Sequence, residues 1–345
     1  MGTNPQNKMR VLVTGGAGYI GSVVADELLQ AGHQVVVFDN LSRGHRQAVP
    51  KDAELVVGDL ADRAALGRLL QSRALDSRSS EPRGFDAVMH FAALIEAGES
   101  MKAPEKFFRN NTANALTLIE AMLAAGVKRF VFSSTAALFG NPERTPIEED
   151  DPVHPTNAYG ESKLLTERML AWFHQIHGLR YASLRYFNAA GASRPDRGEA
   201  HQPETHLIPR ILAVALGRAQ HVNIFGADYP TPDGTCVRDY IHVSDLARAH
   251  LLALNALENH SVLTYNLGSG HGFSVRQVVE VARAVTGHPI PVIESPRRAG
   301  DPAVLVASSE KIRRELGWQP RFPDLKAIVE SAWQWHRTHP DGYPS

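Results

Sequence analysis

Near the start of the chain a short apolar run, Val11-Leu12-Val13, gives way to Thr14-Gly15-Gly16-Ala17-Gly18-Tyr19-Ile20-Gly21, and residues 19–30 then follow a helical period that Gly32 ends. This stretch constrains the fold more than any other. It demands a buried strand that turns sharply into a helix. Gly15 permits the tight turn, Gly18 lets a ligand approach the backbone, and Gly21 lets helix and strand pack closely. The helix start aims N–H groups and the positive end of its dipole at the turn, which suits a pyrophosphate. The turn therefore predicts a dinucleotide cradle.

The pattern repeats downstream. Val35-Val36-Val37-Phe38 ends at Asp39, and Leu55-Val56-Val57 precedes Gly58-Asp59. Ala87-Val88-Met89-His90-Phe91 precedes Ala92-Ala93, and Phe130-Val131-Phe132 precedes Ser133-Ser134-Thr135. Helical patterns at 61–70 and 113–125 alternate with these runs. Such alternation predicts an α/β fold: a Rossmann-type doubly wound parallel sheet, with ligands beyond the carboxyl ends of its strands. Residues 72–84 read as a polar surface loop. Past residue 188 prolines and glycines become dense and the elements shorten. Loops are expected at 191–205 and 226–235, and helices at 207–216, 244–257, 274–285 and 309–316. With 345 residues the chain is long enough for two lobes. We expect a dinucleotide-binding domain over 1–187, to which 236–260 returns, and a smaller α/β substrate-binding lobe over 188–345.

Composition excludes several classes. Lys and Arg number 36 against 37 Asp and Glu, a formal net charge of −1, and no basic stripe marks a nucleic-acid partner. No apolar run approaches the ~20 residues that span a bilayer. Residues 1–8 are polar, lack a hydrophobic signal region and read as a disordered tail. The lone Cys236 excludes an internal disulfide and suggests a reducing, cytoplasmic setting. Among 16 histidines, the pairs His174/His177 and His336/His339 lack an evident third ligand, and no HExxH or Cys-x-x-Cys motif occurs. No metal is expected.

Asp39 ends the second strand, about 20 residues past the glycines, where a carboxylate accepts from an adenosine ribose and repels a 2′-phosphate. That argues for NAD over NADP, although Arg43 and Arg46 lie nearby. Asp59-Leu60 follows the third strand, where an acidic side chain can accept from the adenine amino group. Farther on, Tyr159 and Lys163 stand four apart on an expected helix and so share a face. The lysine charge lowers a neighbouring phenol from ~10 toward the working range, making Tyr159 a candidate general base. The Thr135 hydroxyl, just past a strand, can bridge Tyr159 and a substrate oxygen.

Taken together, the chain resembles the UDP-galactose 4-epimerase family of extended short-chain dehydrogenase/reductases from about residue 10 to residue 344. The resemblance rests on residues 13–22, Asp39-Asn40-Leu41, His90-Phe91-Ala92-Ala93, Gly98-Glu99-Ser100, Asn110-Asn111, Arg185-Tyr186-Phe187-Asn188 and Ile224-Phe225-Gly226. It is most specific over Asp228-Tyr229-Pro230-Thr231, Asp233-Gly234-Thr235 and 237–243, and continues through 265–268, 297–301 and 339–344. It implies that Tyr19, Ile20, Asn40, Leu41, Leu60, Phe91, Ala92, Ala93, Asn110 and Phe187 join the glycines, Asp39, Asp59, Tyr159 and Lys163 around NAD. It further implies that Asn188, Arg238 and Arg298 hold a UDP-sugar diphosphate, that Leu207, Phe225 and Tyr240 line the uridine pocket, that Asp301 bonds the uridine ribose, and that His206 is among the substrate-binding residues. Two arginine forks suit a dianionic diphosphate.

The implied activity is C4 epimerisation of UDP-galactose to UDP-glucose through a 4-keto sugar. The implied assembly is a homodimer in which helices at 113–125 and 162–174 pair with their symmetry mates. Three positions depart from the family pattern. Ile95 replaces a lysine and supplies no charge to the cofactor, Thr135 replaces a serine, and Leu305 is intermediate between the bulky and small residues that gate N-acetyl groups. The alternatives are 4-epimerisation of an N-acetylhexosamine or pentose, or a non-catalytic NAD-binding sensor. A sensor should have lost Tyr159 or Lys163, and a 4,6-dehydratase needs an acid pair where Ala136-Ala137-Leu138 follows Thr135.

Overall fold

The computed structural model describes residues 8–73, 83–298 and 300–344. The chain divides into two units, one comprising 1–134, 161–184 and 250–264, the other 135–160, 185–249 and 265–345. Most of the polar tail and residues 74–82 of the expected 72–84 loop lie outside the described residues.

The first unit follows the strand–helix rhythm of the sequence. Its elements are β1 (Arg10–Thr14), α1 (Tyr19–Gln30), β2 (Gln34–Asp39), β3 (Glu54–Val57), α2 (Arg63–Gln71), β4 (Ala87–His90) and two single turns, α3 (Ala97–Ser100) and α4 (Pro104–Phe107). These are followed by α5 (Asn114–Ala124), β5 (Arg129–Thr135), α6 (Ala158–His177) and β6 (Arg180–Tyr186), with Thr135, the first turn of α6 and the last two residues of β6 counted to the second unit. All five residues of β1 are buried, as expected of a strand covered on both faces. Counting β10 (Val262–Leu267), the sheet has seven strands in the order β3-β2-β1-β4-β5-β6-β10. The pairs β1/β2, β2/β3, β1/β4 and β4/β5 are parallel. Strand order therefore reverses between β1 and β4, and the crevice at such a reversal is where ligands bind in this class of sheet. Leu12, Val36, Phe38, Leu66, Leu118, Phe130, Phe132 and Leu170 fill its core.

The second unit contains β7 (Asn188–Ala190), α7 (Leu207–Ala215), β8 (Val222–Phe225), β9 (Val237–His242), α8 (Val243–Ala256), β11 (Gly272–Ser274) and α9 (Val275–Thr286), with the last turns of α8 counted to the first unit. It closes with β12 (Val292–Ser295), β13 (Val304–Leu305), α10 (Glu310–Leu316) and α11 (Leu325–Thr338). Strand β9 is its hub: β7 and β13 pair with it in parallel and β11 antiparallel. Helix α9 starts at a capping box of Ser274 and Gln277 and stops at Gly287, whose φ is 71°. The sequence reading missed α11. Its Leu325, Ile328, Val329, Ala332 and Trp335 are buried, and they pack with α7 and α9 residues such as Ile211 and Val279 in one cluster.

Candidate active site

The glycine turn lies at the reversal point. Thr14 is in register with His90, and its hydroxyl lies 2.7 Å from His90 Nδ1. Burial, with Lys163 adding to it, draws His90 down to about 3 and keeps it neutral. Gly15 has φ +74°, and a Cβ there would stand 2.4 Å from Ala92 N. A Cβ on Gly21 would stand 2.3 Å from Gly15 O. Both glycines are therefore fixed by the chain's own packing. Gly18 differs: it is the N-cap of α1, and the one atom a Cβ would meet is Gly15 O at 3.3 Å. Its open side is what a pyrophosphate cradle requires, and α1 has no acidic residue in its first turn to oppose an anion. Tyr19 and Ile20 open that helix, Tyr19 buried and Ile20 half-buried. The turn thus fits the dinucleotide expected of it.

Asp39 lies at the carboxyl end of β2. Its Oδ1 accepts from Leu41 N at 2.8 Å and its Oδ2 from Ala17 N at 3.0 Å. Burial raises its pKa and these two bonds oppose the rise. Leu41 adopts φ +57°, a conformation rare for a side-chain-bearing residue. Asn40 Nδ2 donates to Asp59 Oδ2 at 2.8 Å, so the two acidic strand ends are joined. Leu60 beside them is buried. Arg43 pairs with Glu96 at 3.6 Å. Ile95 N donates to the same Glu96 at 3.1 Å.

After β4, Phe91 N and Ala92 N donate to Thr14 O at 2.8 and 3.1 Å, and Ala93 follows. The Phe91 ring lies 4.9 Å from that of His250. Asn110 and Asn111 occupy a π-helical turn, Phe108–Ala113, that precedes α5. Such turns are frequent at functional sites because they re-aim a side chain. Asn110 Nδ2 donates to Asn111 Oδ1 at 2.9 Å. Asn111 accepts from Leu94 N at 2.9 Å and donates to Leu94 O at 2.9 Å and to Ser162 Oγ at 3.1 Å. It thereby braces α6 next to Lys163. The sequence reading gave Asn111 no role; its place in an Asn-Asn pair was the available signal.

Helix α6 carries the tyrosine and the lysine. Asn157 caps it, accepting from Gly160 N at 2.8 Å. Tyr159 is half-buried in the first turn. Lys163, 2% exposed, donates from Nζ to Ser133 O at 2.9 Å, and its Nζ lies 5.0 Å from the Phe132 ring centre. Desolvation draws this ammonium down to about 7. Thr135 ends β5 and caps the following 3-10 turn, its Oγ1 accepting from Ala137 N at 3.1 Å. That bond uses the oxygen as acceptor and leaves the hydroxyl proton for another partner. Gly160 is the close-approach point: a Cβ there would stand 2.6 Å from Ala137 O. The Thr135 turn and the first turn of α6 are thus pressed together.

The second unit gathers most of the residues expected around a nucleotide sugar. Arg238 in β9 donates from Nη2 to Asp301 Oδ1 at 2.7 Å and from Nη1 to Val237 O at 2.9 Å. Arg298 stacks over Phe225, its Cζ 3.9 Å from the ring centre. Burial lowers the Arg298 pKa; Asp301 opposes this, while Arg210 and Arg238 add to it by repulsion. Arg210, from α7, is a further cation here that sequence reading passed over. Three arginines opposed by Asp301 leave a local excess of positive charge, which suits a dianion. Asn188 is in register with Tyr240, and its Nδ2 donates to Asp239 O at 2.9 Å. Tyr240 is buried, which raises its pKa. Phe187 N donates to Leu267 O at 3.2 Å. Leu305 is in register with Arg238 across β13 and β9. Leu207 begins α7 and His206 precedes it as N-cap, with its Nδ1 2.9 Å from both Glu199 Oε1 and Glu204 Oε1.

Sheet order and glycine turn define a doubly wound α/β fold of the dinucleotide-binding class. The model of the NAD dependent epimerase/dehydratase family matches residues 11–268, and the chain belongs to that family. It is 53% identical over 334 residues to a UDP-glucose 4-epimerase of Streptomyces lividans, an alignment covering 97% of this chain and 98% of that one. Among solved structures, the UDP-glucose 4-epimerase from Brucella ovis in complex with NAD is 44% identical with a TM-score of 0.87, over 94% of this chain and 97% of that one. The enzyme from Bifidobacterium longum in complex with NAD+ and UDP is 36% identical with a TM-score of 0.89, over 97% of this chain and 100% of that one. Among the described residues no helix is long and apolar enough to cross a membrane.

Proposed function

We propose that this protein is a UDP-glucose 4-epimerase that interconverts UDP-galactose and UDP-glucose while holding NAD tightly. The observation that carries the reading is the pairing of Tyr159 with a buried Lys163 one helical turn on, beside the turn that Thr135 caps. NAD, when bound, supplies the hydride acceptor and donor at C4. Tyr159 takes the C4 hydroxyl proton and later returns it to the same oxygen, once the sugar has turned the opposite face of C4 to the cofactor. Lys163 favours the phenolate by its charge. Thr135 donates to the reacting oxygen and orients it. Asn188, Arg238, Arg298 and Asp301 hold the nucleotide end, so the 4-keto sugar can turn without leaving. Binding energy remote from C4 is thereby used for catalysis.

In this reading residues 1–187 serve chiefly the cofactor and 188–345 the UDP-sugar, with Arg238 and Tyr240 of the returning segment 236–260 on the sugar-nucleotide side. The enzyme is a cytoplasmic homodimer paired through α5 and α6, a pairing supported by Trp172 and Ile176, one turn apart on α6 and 63% and 68% exposed. Incubating the purified protein with UDP-galactose should yield UDP-glucose without added reductant. No interconversion in either direction would overturn the assignment.

A further inference from the structure

The loop that leads into α7 carries a second group of chemically competent side chains. Glu199, His201, Glu204 and His206 bring their donor atoms within 4.8 Å of one another. His206 Nδ1 lies 2.9 Å from Glu199 Oε1 and 2.9 Å from Glu204 Oε1. His201 Nδ1 lies 3.2 Å from Glu199 Oε1 and 3.7 Å from Glu204 Oε2. Four donors at tetrahedral zinc distances stand roughly 3.3 Å apart. With one donor atom taken from each residue, all four lie within 4.8 Å of one another, close enough for small side-chain shifts to reach that spacing. Glu199 is 3% exposed and Trp335 Nε1 donates to its carbonyl at 2.9 Å, so the loop is anchored to α11. A second observation comes from α11 itself. His336 Nε2 is buried without a hydrogen-bond partner among the described residues, and His336 lies within electrostatic reach of Glu199 and Glu204.

We propose that Glu199, His201, Glu204 and His206 form a structural site for a divalent transition ion of the zinc class. Two imidazoles, each giving up its extra proton on ligation, and two carboxylates match the ligand preferences of Zn2+ and neutralise its charge. Four protein donors make a closed site, with no coordination position reserved for a reactant. Such an ion ties both ends of the loop to each other and fixes the first turn of α7, from which Leu207 and Arg210 project. The competing arrangement is a pair of imidazolium–carboxylate ion pairs, which uses the same atoms and needs no metal.

Zinc binding separates the two. The full chain would be stripped with chelator, dialysed, titrated with ZnCl2, and its metal counted after gel filtration. The proposal expects one zinc per chain and a higher Tm with zinc than without. His201→Gln/Glu204→Gln should reduce retained zinc to background, whereas His174→Gln/His177→Gln should keep the full equivalent. Absence of stoichiometric zinc in the wild type, or its retention in the first variant, would overturn the site. Should the first variant fail to fold, Co2+ loaded into the wild type decides: a tetrahedral visible spectrum supports the site, and a hydrated octahedral one sinks it.

Discussion

The glycine turn and the arginine cluster both suit phosphates, yet they are built differently. At Gly15–Gly21 the chain presents backbone N–H groups, and Gly15 and Gly21 are held by contacts with the chain's own backbone, at 2.4 and 2.3 Å for an added Cβ. At Arg210, Arg238 and Arg298 it presents side chains drawn from α7, from β9 and from the segment after β12, and a mutual repulsion remains. The first arrangement is local and rigid, so altering it disturbs packing as well as binding. The second is assembled from distant segments and can lose one member with the fold intact. Backbone recognition suits a cofactor retained through turnover, and side-chain recognition suits a substrate that must leave.

The largest expected effect tests what neither region supplies. Tyr159→Phe should reduce turnover by about 10²–10⁴-fold, the usual contribution of a general acid–base group. Bound NAD and UDP-sugar affinity should persist, because both phosphate-binding regions are untouched. Near-wild-type epimerisation would remove Tyr159 from its role.

Next come the arginines. Arg238→Ala or Arg298→Ala should weaken UDP-sugar binding by about 1.5–3 kcal/mol, roughly tenfold to a hundredfold, and leave NAD content unchanged. Arg238→Ala also strands Asp301, its partner at 2.7 Å, so its loss should be the greater. Calorimetry with UDP and a count of bound NAD would check this. Equal losses of both ligands would erase the distinction between the two regions.

Within the turn, packing and ligand approach can be separated. Gly21→Ala should cost about 1–3 kcal/mol of stability, because its Cβ meets Gly15 O at 2.3 Å. Gly18 has φ −80° and ψ 174°, ordinary for alanine, and its Cβ would meet only Gly15 O, at a tight 3.3 Å against 2.3 Å for Gly21. Gly18→Ala should therefore lose much less Tm than Gly21→Ala and bind NAD several-fold more weakly. Matching Tm losses in the two variants would show that Gly18 serves packing alone.

Legibility in the sequence follows the same division. The helix after the glycines was read as 19–30, the bounds α1 has, because Gly18 and Gly32 punctuate both ends and the packing agrees with the local signal. Helix α11 is announced by Pro323 and the capping Asp324, but the Trp and His residues mixed into its buried face blur the apolar spacing. Arg210 is invisible to spacing, since its role arises from charges brought near by the fold. The Glu199–His206 group escaped because no fixed motif encodes Glu-x-His-x-x-Glu-x-His. The string around Arg238 mixes purposes that sequence cannot separate. Arg238 meets Asp301, whereas the adjacent Asp239 accepts from Ser269 N, Ser269 Oγ, Gly270 N and Ala307 N and serves to hold the fold.

The smallest expected effect concerns sugar range. Leu305 lies in the two-residue strand β13, half-buried and in register with Arg238. A side chain here adjoins the residue proposed to hold the diphosphate, so its size bears on the room in which a tethered keto sugar turns. An acetamido group at C2 sweeps additional volume during that rotation. Leucine leaves some of that volume and serine leaves more. Leu305→Ser should raise the rate on UDP-N-acetylgalactosamine relative to UDP-galactose by several-fold, within the ~1–3 kcal/mol that small changes in pocket volume are worth. The two phosphate-binding regions should not respond, so NAD content and UDP affinity serve as internal controls. Parallel assays of both sugars in wild type and variant decide the matter. An unchanged rate ratio would mean that Leu305 packs away from the sugar and that selectivity is set elsewhere in the second unit.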